Sequence, residues 1–471
     1  MSESKKSSSS YFRDKLSTVD EQGKRVWVFP KKPAGKLTNY RHLLAVVLYV
    51  FFFIGPFLRF KGDPVFLLNI LERKFILFGV VFWPQDFHLI VLSLITLIIF
   101  IVLFTVIYGR IFCGWACPQT VFMEFVFRRI EYMIEGDSQA QRKLAKQEWN
   151  FEKVWKKTLK STIFILIAFL IASTIFAYIF GSDRVLGLYS GGIAFTSKLF
   201  IASLALTGFI YFVFGFFREQ VCLIACPYGR LQGVLLDQQS IIVAYDYLRG
   251  EPRGPIKGKE NTPPTGDCVD CNACVQVCPT NIDVRNGTQL ECINCTACID
   301  SCNSVMARHN LKKGLIRFDS EKGIREGKKH IFTTRSIAYS TVLLVLLSVL
   351  VSLFFLRTEV ETTILRQRGT LFQAYGDNAY SNIYQIDVVN KFRKDLNIQL
   401  KLIKPQGEIK LMGNNLFVQG GTKIQERFLV ILPKETVLQS KNEVVFGIYD
   451  GDKLIEEYKA TFVGPNSLDV E

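Results

Sequence analysis

Histidine is nearly missing from this sequence, with four in 471 residues. His42 stands just before one apolar run and His88 just before the next. Successive spans run antiparallel, so the two lie at opposite depths and do not make the axial pair of a membrane haem. No C-x-x-C-H run occurs, which removes covalently attached haem. His309 and His330 lie in a basic stretch and read as ordinary surface residues. A G-x-x-x-x-G-K-S/T loop is absent, so an ATP-driven pump is excluded. Four runs, 89–108, 162–180, 199–217 and 337–356, contain no Lys, Arg, Asp or Glu. An ion path or proton relay needs ionisable groups at depth, so a transporter is disfavoured. Residues 357–471 hold neither cysteine nor histidine, which leaves no disulfide core and no histidine metal site there.

What is present begins with those runs. Crossing bilayer hydrocarbon takes about 20 apolar residues in a helix, because every backbone polar group must be paired internally. The four runs qualify. A fifth, 43–58, has 16 residues and ends near Gly55-Pro56, and Arg41 and Arg59 can snorkel at its ends. Five spans are expected. The formal charge is +15, from 57 Lys+Arg against 42 Asp+Glu. Segments 1–42, 109–161 and 218–336 hold 36 of the basic residues, whereas 59–88 and 181–198 hold six. This bias places the amino end in the cytoplasm and, after five crossings, the carboxyl end outside. The excess charge lies where topology loads it anyway, so nucleic acid is not expected as a partner. The first 42 residues lack a cleavable apolar core, and the first span reads as an uncleaved anchor.

All 12 cysteines fall in the two cytoplasmic loops, where thiols stay reduced and are free to bind metal. Cys268, Cys271, Cys274 and Cys278-Pro279 read C-x2-C-x2-C-x3-C-P, and Cys292, Cys295, Cys298 and Cys302 repeat the spacing with Asn303 in place of the proline. The doubled pattern is that of a bacterial ferredoxin module with two [4Fe–4S] clusters. Three closely spaced cysteines wrap one face of a cubane and the fourth crosses to the other. Cluster one is therefore expected on Cys268, Cys271, Cys274 and Cys302, and cluster two on Cys292, Cys295, Cys298 and Cys278. Structural zinc knots use two C-x2-C pairs with a longer spacer, which this is not. Such a module moves single electrons and does no bond chemistry by itself.

The other four cysteines form two copies of a second motif, Cys113-Gly114-Trp115-Ala116-Cys117-Pro118 and Cys222-Leu223-Ile224-Ala225-Cys226-Pro227. Each follows an outside-to-inside span. If each pair lies on a helix, positions i and i+4 share a face and point two sulfurs the same way. Two pairs at one depth make a four-sulfur cage, and soft thiolates select Cu(I), zinc or an iron–sulfur cluster. Cysteine at a helix end is often only packing; two equivalent copies weigh against that. Cys113, Cys117, Cys222 and Cys226 are the candidate copper or redox site.

After residue 357 the pattern changes to short alternating segments, 384–389, 398–403, 427–432, 444–449 and 455–462, with turn signals at Asn414-Asn415, Gly420-Gly421 and Asp450-Gly451-Asp452. About 100 residues of such strands suit an immunoglobulin-like β-sandwich. The expected layout is a multi-domain membrane protein. It runs from a cytoplasmic segment (1–42) to a four-span helical region with both C-x3-C-P motifs (43–250). A cytoplasmic double [4Fe–4S] ferredoxin domain (251–330), a fifth span (331–357) and a periplasmic immunoglobulin-like β domain (358–471) follow.

Several segments together resemble the FixG/CcoG/RdxA-type accessory proteins of cytochrome c oxidase assembly. They are 110–120 (RIFCGWACPQT), 129–137 (RIEYMIEGD), 217–230 (FREQVCLIACPYGR), 247–254 (YLRGEPRG), the double ferredoxin run, and 314–318 (GLIRF). RGEPRG together with two C-x3-C-P motifs is far more specific than ferredoxin spacing alone. The resemblance implies a bacterial inner-membrane protein needed for copper-dependent maturation of the cbb3-type haem–copper oxidase, one that reduces Cu(II) to Cu(I). It also implies oxidase subunits or assembly factors as partners. The asparagine at 303 departs from the ferredoxin pattern beside a ligand and bears on a cluster potential. Two other roles compete: a quinol-linked polyferredoxin feeding a periplasmic reductase, and a non-enzymatic assembly scaffold with structural or redox-sensing clusters.

Overall fold

Helix starts are set by caps and partners more than by hydropathy, and this chain shows both kinds. The structure, a computed structural model, describes residues 18–20, 22–60, 63–69, 74–77, 80–190, 198–255, 266–327, 333–357, 360–367, 369, 371–391, 394–413 and 416–465. Five helices are long and apolar enough to cross a membrane: α1 (Lys36–Phe57), α2 (Phe87–Tyr108), α3 (Phe151–Phe180), α4 (Lys198–Phe217) and α5 (Thr334–Phe355). The number matches the sequence expectation. α3 begins well before its apolar run because the Asn150 side chain accepts from the Lys153 amide at 2.9 Å, the usual N-cap bond. α1 begins at Lys36 behind Gly35, which has no side chain to cap it. Asp300 supplies the missing acceptor, taking the Thr38 amide at 2.7 Å and the Leu37 amide at 3.3 Å. A carboxylate at a helix start also meets the positive end of its dipole.

Side chains such as Leu43, Val47, Leu97, Leu166, Phe209 and Leu344 remain exposed on these helices, a surface that only lipid tails solvate well. Where α3 and α4 meet, Ala168 and Ala172 let the backbones approach, and Phe164, Ile171, Ile210 and Phe214 fill the seam. Small residues at the contact are the common device of membrane helix pairs. Phe127 enters the same core from the loop after α2, stacking on Phe214 at 4.5 Å and meeting Phe164 edge-on at 4.8 Å.

The chain forms two compact units, 1–79 with 84–350 and 80–83 with 351–471. The cysteine-rich segment therefore belongs to the helical unit rather than standing as a separate body. Two short antiparallel strands, Ile242–Tyr245 and Ile316–Asp319, bracket it. Residues 29–32, part of the segment before the first span, strap it down. Lys31 donates its amide to Gln276 O at 2.8 Å, and the Lys32 amide reaches Asp137 at 3.0 Å.

Among the described residues, the second unit is an antiparallel sandwich built of β1 (Val360–Arg366), β2 (Gln373–Tyr375), β3 (Ala379–Asn390), β4 (Leu396–Lys404), β5 (Glu408–Leu411), β6 (Leu416–Val418), β7 (Lys423–Pro433), β8 (Lys441–Asp450) and β9 (Lys453–Val463). One sheet runs β5-β7-β3-β1 with β2 beside β3, and the other runs β6-β4-β8-β9. Alternate residues Tyr384, Ile386 and Val388 of β3, Phe428 and Val430 of β7, and Phe446 and Ile448 of β8 form the core, the period of two that a half-buried strand requires. The five expected segments lie inside β3, β4, β7, β8 and β9. The four shorter strands escaped the sequence pattern, and Val80–Phe82, read as loop, also packs in this unit through Arg357 on Val81 O at 2.6 Å. The Gly420-Gly421 and Gly451-Asp452 turns are present. Asn414-Asn415 and His330 lie outside the described residues.

Candidate metal centres

In each ferredoxin half the second cysteine is flanked by two residues in the left-handed region. Asp270 (φ 51°) and Asn272 (φ 56°) surround Cys271, and Asn294 (φ 53°) and Thr296 (φ 63°) surround Cys295. Asn and Asp tolerate this conformation, whereas a β-branched threonine there is strained. Thr296 is fully buried, and its hydroxyl donates to Cys295 O at 2.7 Å. Paired turns of this kind aim backbone amides at an anionic centre. The residue types were visible in the sequence as C-x-D/N-C-N/T-A-C; the backbone angles were not.

Two recesses result. One, with about 340 Å³ of empty space, is lined by Cys268, Cys271, Cys274 and Cys302 under Tyr245, Met306 and Leu315. The other, of about 350 Å³, is lined by Cys278, Cys292, Cys295 and Cys298, with Cys274 at its edge. Each offers four sulfurs, the number a cubane takes. Burial pushes the thiols of Cys274 and Cys292 up to about 12 and those of Cys295 and Cys302 up to about 11. Such thiols ionise only beside a strong positive charge, which bound iron provides. Asn303, where the pattern has proline, accepts the Gly314 amide at 2.9 Å. It thus ties the helix that carries Cys298 and Cys302 to the GLIRF segment. Arg249 of RGEPRG pairs with Asp267, next to Cys268.

The two C-x3-C-P motifs do not sit on continuous helices, contrary to the i, i+4 reading. Cys113 lies in a helix that ends at Trp115, and Cys117 is extended (ψ 124°) ahead of a new helix from Pro118. Cys222 lies in a π-turn, and Cys226 is likewise extended (ψ 110°) ahead of Pro227. The motif's own proline is the cause, because it bars the preceding residue from the helical region. The two motifs nevertheless meet: Tyr228, in the helix that Cys226 leads, packs against the cluster holding Cys113 and lies edge-on to Phe112 at 6.2 Å, and Cys117 and Cys226 act on the charge of both Cys113 and Cys222. Burial pushes Cys113 up to about 11 and Cys222 up to about 12. Burial also raises Cys117, although the Thr120 and Gln119 amides at the start of the new helix oppose this. The Cys113 thiol donates to Gln232 Oε1 at 3.0 Å. Among the described residues, no three Cys, His, Asp or Glu side chains converge tightly enough to hold a single metal ion.

The quartet abuts the second recess. A Cβ on Gly114 would lie 2.3 Å from Ile293 O and 3.0 Å from Cys295 Cα, so only glycine permits this approach. Trp115 Nε1 donates to Asn294 O at 3.3 Å, and Cys113 shares an apolar cluster with Ile293 and Cys295. Arg110 lies beside both sites: its charge reaches Cys113 and Cys292, and it donates to Leu290 O. Arg41 fixes the loop by donating to Gly114 O at 2.8 Å.

Beneath the quartet lies an ion-pair lattice that sequence reasoning did not find. Glu131 takes Arg218 with two bonds, at 3.0 and 2.8 Å. Lys160 reaches Glu135 at 2.8 Å, Arg128 reaches Glu124 at 2.5 Å, and Arg25 reaches Glu219 at 3.0 Å. The signal was available, since 129–137 and 217–230 supply many of these charges from segments of the family resemblance. Burial alone would raise the Glu131 pKa, but Arg218, Lys160 and Arg128 outweigh it and hold it below 4.5.

An apolar helix set and cysteine-lined recesses define a membrane iron–sulfur protein. By sequence, residues 217–321 match the family described as 4Fe-4S dicluster domain, residues 90–133 that described as 4Fe-4S binding domain, and residues 350–465 the Ig-like fold at the C-terminus of FixG. The chain belongs to the FixG/RdxA family. It is 35% identical to protein RdxB of Cereibacter sphaeroides over 384 residues, 78% of this chain and 80% of the relative. Protein RdxA of the same organism is 34% identical over 80% of this chain and 82% of its own length. The nitrogen fixation protein FixG of Rhizobium meliloti is 30% identical over 80% and 79%.

Proposed function

We propose that this protein takes single electrons from a low-potential cytoplasmic donor, of the flavoprotein or ferredoxin class, and delivers them to Cu(II), supplying Cu(I) for assembly of a cbb3-type haem–copper oxidase. In this reading Cys268, Cys271, Cys274 and Cys302 hold cluster one, and Cys292, Cys295, Cys298 and Cys278 hold cluster two. Bound clusters supply one-electron storage. The protein lies in the bacterial inner membrane with its cysteine face in the cytoplasm and its immunoglobulin-like domain in the periplasm, as the Lys/Arg bias and an odd number of spans favour.

The observation that carries the reading is the close approach of Gly114 to Ile293, which sets the thiol quartet directly against the second recess. Arg110 keeps a positive charge between the two sites, and Arg41 and Trp115 lock the loop in place. Each Cu(II) gains one electron and each donor loses one. The quartet is the last sulfur site before the acceptor in this reading, so delivery to Cu(II) depends on its thiols. The test follows Cu(II) loss from the reduced, cluster-loaded protein with a Cu(I)-specific chelator. A fast rate that collapses in the Cys113/Cys117/Cys222/Cys226 quadruple Ala variant is expected; equal rates would end the proposal.

One observation favours a different donor. A recess of about 320 Å³ between Cys222 and the second ferredoxin half is lined by Gln119, Thr120, Met123, Glu124, Arg218 and Glu219. Carboxylates beside a redox site, Glu219 buried and Glu124 partly so, suit a quinol, which gives up protons with its electrons. Cluster reduction by a menaquinol analogue, abolished in Glu124→Gln, would establish that reading.

A further inference from the structure

We infer that Cys113, Cys117, Cys222 and Cys226 are the four ligands of a third [4Fe–4S] cluster, rather than a cage for one copper ion. The inference rests on the electron-transfer reading above and specifies what the quartet is. Its first support is stoichiometric. The family described as 4Fe-4S binding domain matches residues 90–133, and that segment contains only Cys113 and Cys117. A cubane takes four thiolates, so the segment cannot hold one alone. The fold supplies the other two from the equivalent position after α4.

Spacing gives the second support. The eight ferredoxin cysteines ring recesses of cubane type, and no three of them converge tightly enough for a single ion. The quartet behaves in the same way: the Cys113 thiol donates to Gln232 in the helix that Cys226 leads, and Tyr228 of that helix packs against the cluster holding Cys113, yet among the described residues no three of its thiols close on one point. A single Cu(I) or zinc draws its sulfurs to about 2.3 Å from one centre, whereas a cubane spreads them over its corners.

Local chemistry is the third support. Among the described residues no histidine or carboxylate completes the set, which leaves soft ligands only. The Gln119 and Thr120 amides, exposed because Pro118 starts a new helix, face the Cys117 sulfur. Amide bonds to cluster sulfurs are the protein's main means of setting a cluster potential. The same Cys-Pro break recurs at Cys226 and Pro227, so the two halves present their sulfurs by one device. Held by these four residues, a cubane would accept single electrons from a cluster on Cys278, Cys292, Cys295 and Cys298, which the Gly114–Ile293 contact brings alongside, and would pass them singly to the acceptor.

The test is iron and acid-labile sulfide analysis of the full-length chain after anaerobic reconstitution, with a Cys113→Ser/Cys222→Ser variant beside it. About twelve irons per chain are expected in the wild type and about eight in the variant, with the ferredoxin EPR signals retained. Because the variant can fail to fold, wild-type protein alone is also reduced and its Mössbauer spectrum integrated, where three cubane equivalents are expected. About eight irons in the wild type, with or without bound copper, overturns the inference; about ten, the content of an added two-iron cluster, overturns the cubane. The count is independent of the copper assay: twelve irons with no Cu(II) reduction sinks the proposed function and leaves the third cluster standing.

Discussion

Gly114 is the residue on which the junction between the two metal regions turns. A methyl group there meets backbone atoms of Ile293 and Cys295, and backbone in a buried loop held by Arg41 and Trp115 has little room to yield. Gly114→Ala should cost about 1–3 kcal/mol through overpacking. It should also slow reoxidation of the reduced clusters by Cu(II) in stopped flow, while the iron of the ferredoxin halves is kept. An unchanged rate would mean that electrons leave elsewhere. Thr296 makes the complementary point, because a β-branched residue held at φ 63° and fully buried stores strain beside Cys295 that the surrounding loop must enforce.

The ion-pair lattice ties the N-terminal part of α3 and the C-terminal end of α4 to the loop after α2, the loop that carries Cys113 and Cys117. Glu131→Gln leaves Arg218 and Lys160 short of a buried carboxylate, and removing one partner of a buried pair costs about 3–5 kcal/mol. Thermal unfolding in detergent should show the loss, and the quartet's metal should go before that of the ferredoxin recesses. The pH dependence has a definite sign. With the folded pKa of Glu131 below the 4.5 of the unfolded chain, its contribution is complete above about pH 5 and is lost as pH falls through the folded value. Wild-type stability should therefore stay level from neutrality to about pH 5 and drop beyond. The Gln variant should lack that part of the drop.

At the scale of the whole molecule there are two cores, one of helices and sulfur and one of packed sheets. Phe446 is fully buried between Tyr384 and Phe428. Phe446→Ala should lower the stability of the sandwich by about 3–5 kcal/mol and leave iron content unchanged; a parallel loss of iron would show that the units fold as one. Sidedness has its own measurement. A cysteine placed at the exposed Trp149 should react with an impermeant maleimide only after spheroplasts are lysed. A cysteine at the exposed Leu438 should react in intact ones. The reverse pattern would invert the topology.

Spans, cysteine spacing and the long strands were legible from residue order along short stretches, since each reflects a local rule: apolar length for a helix in lipid, short loops around a cubane, and alternation along a strand. Short strands such as Glu408–Leu411, with mostly exposed residues, carry too little pattern to read. Pro118 and Pro227 already announced the helix breaks, because proline's effect on the residue before it is a sequence-level fact. Which sulfurs meet was different. Cys113 and Cys222 are brought together only by the packing of the segments that follow α2 and α4, and Asp300 caps a helix that begins at residue 36. These pairings depend on chain folding over hundreds of residues, and no local pattern encodes a distance between segments that the helix packing itself sets.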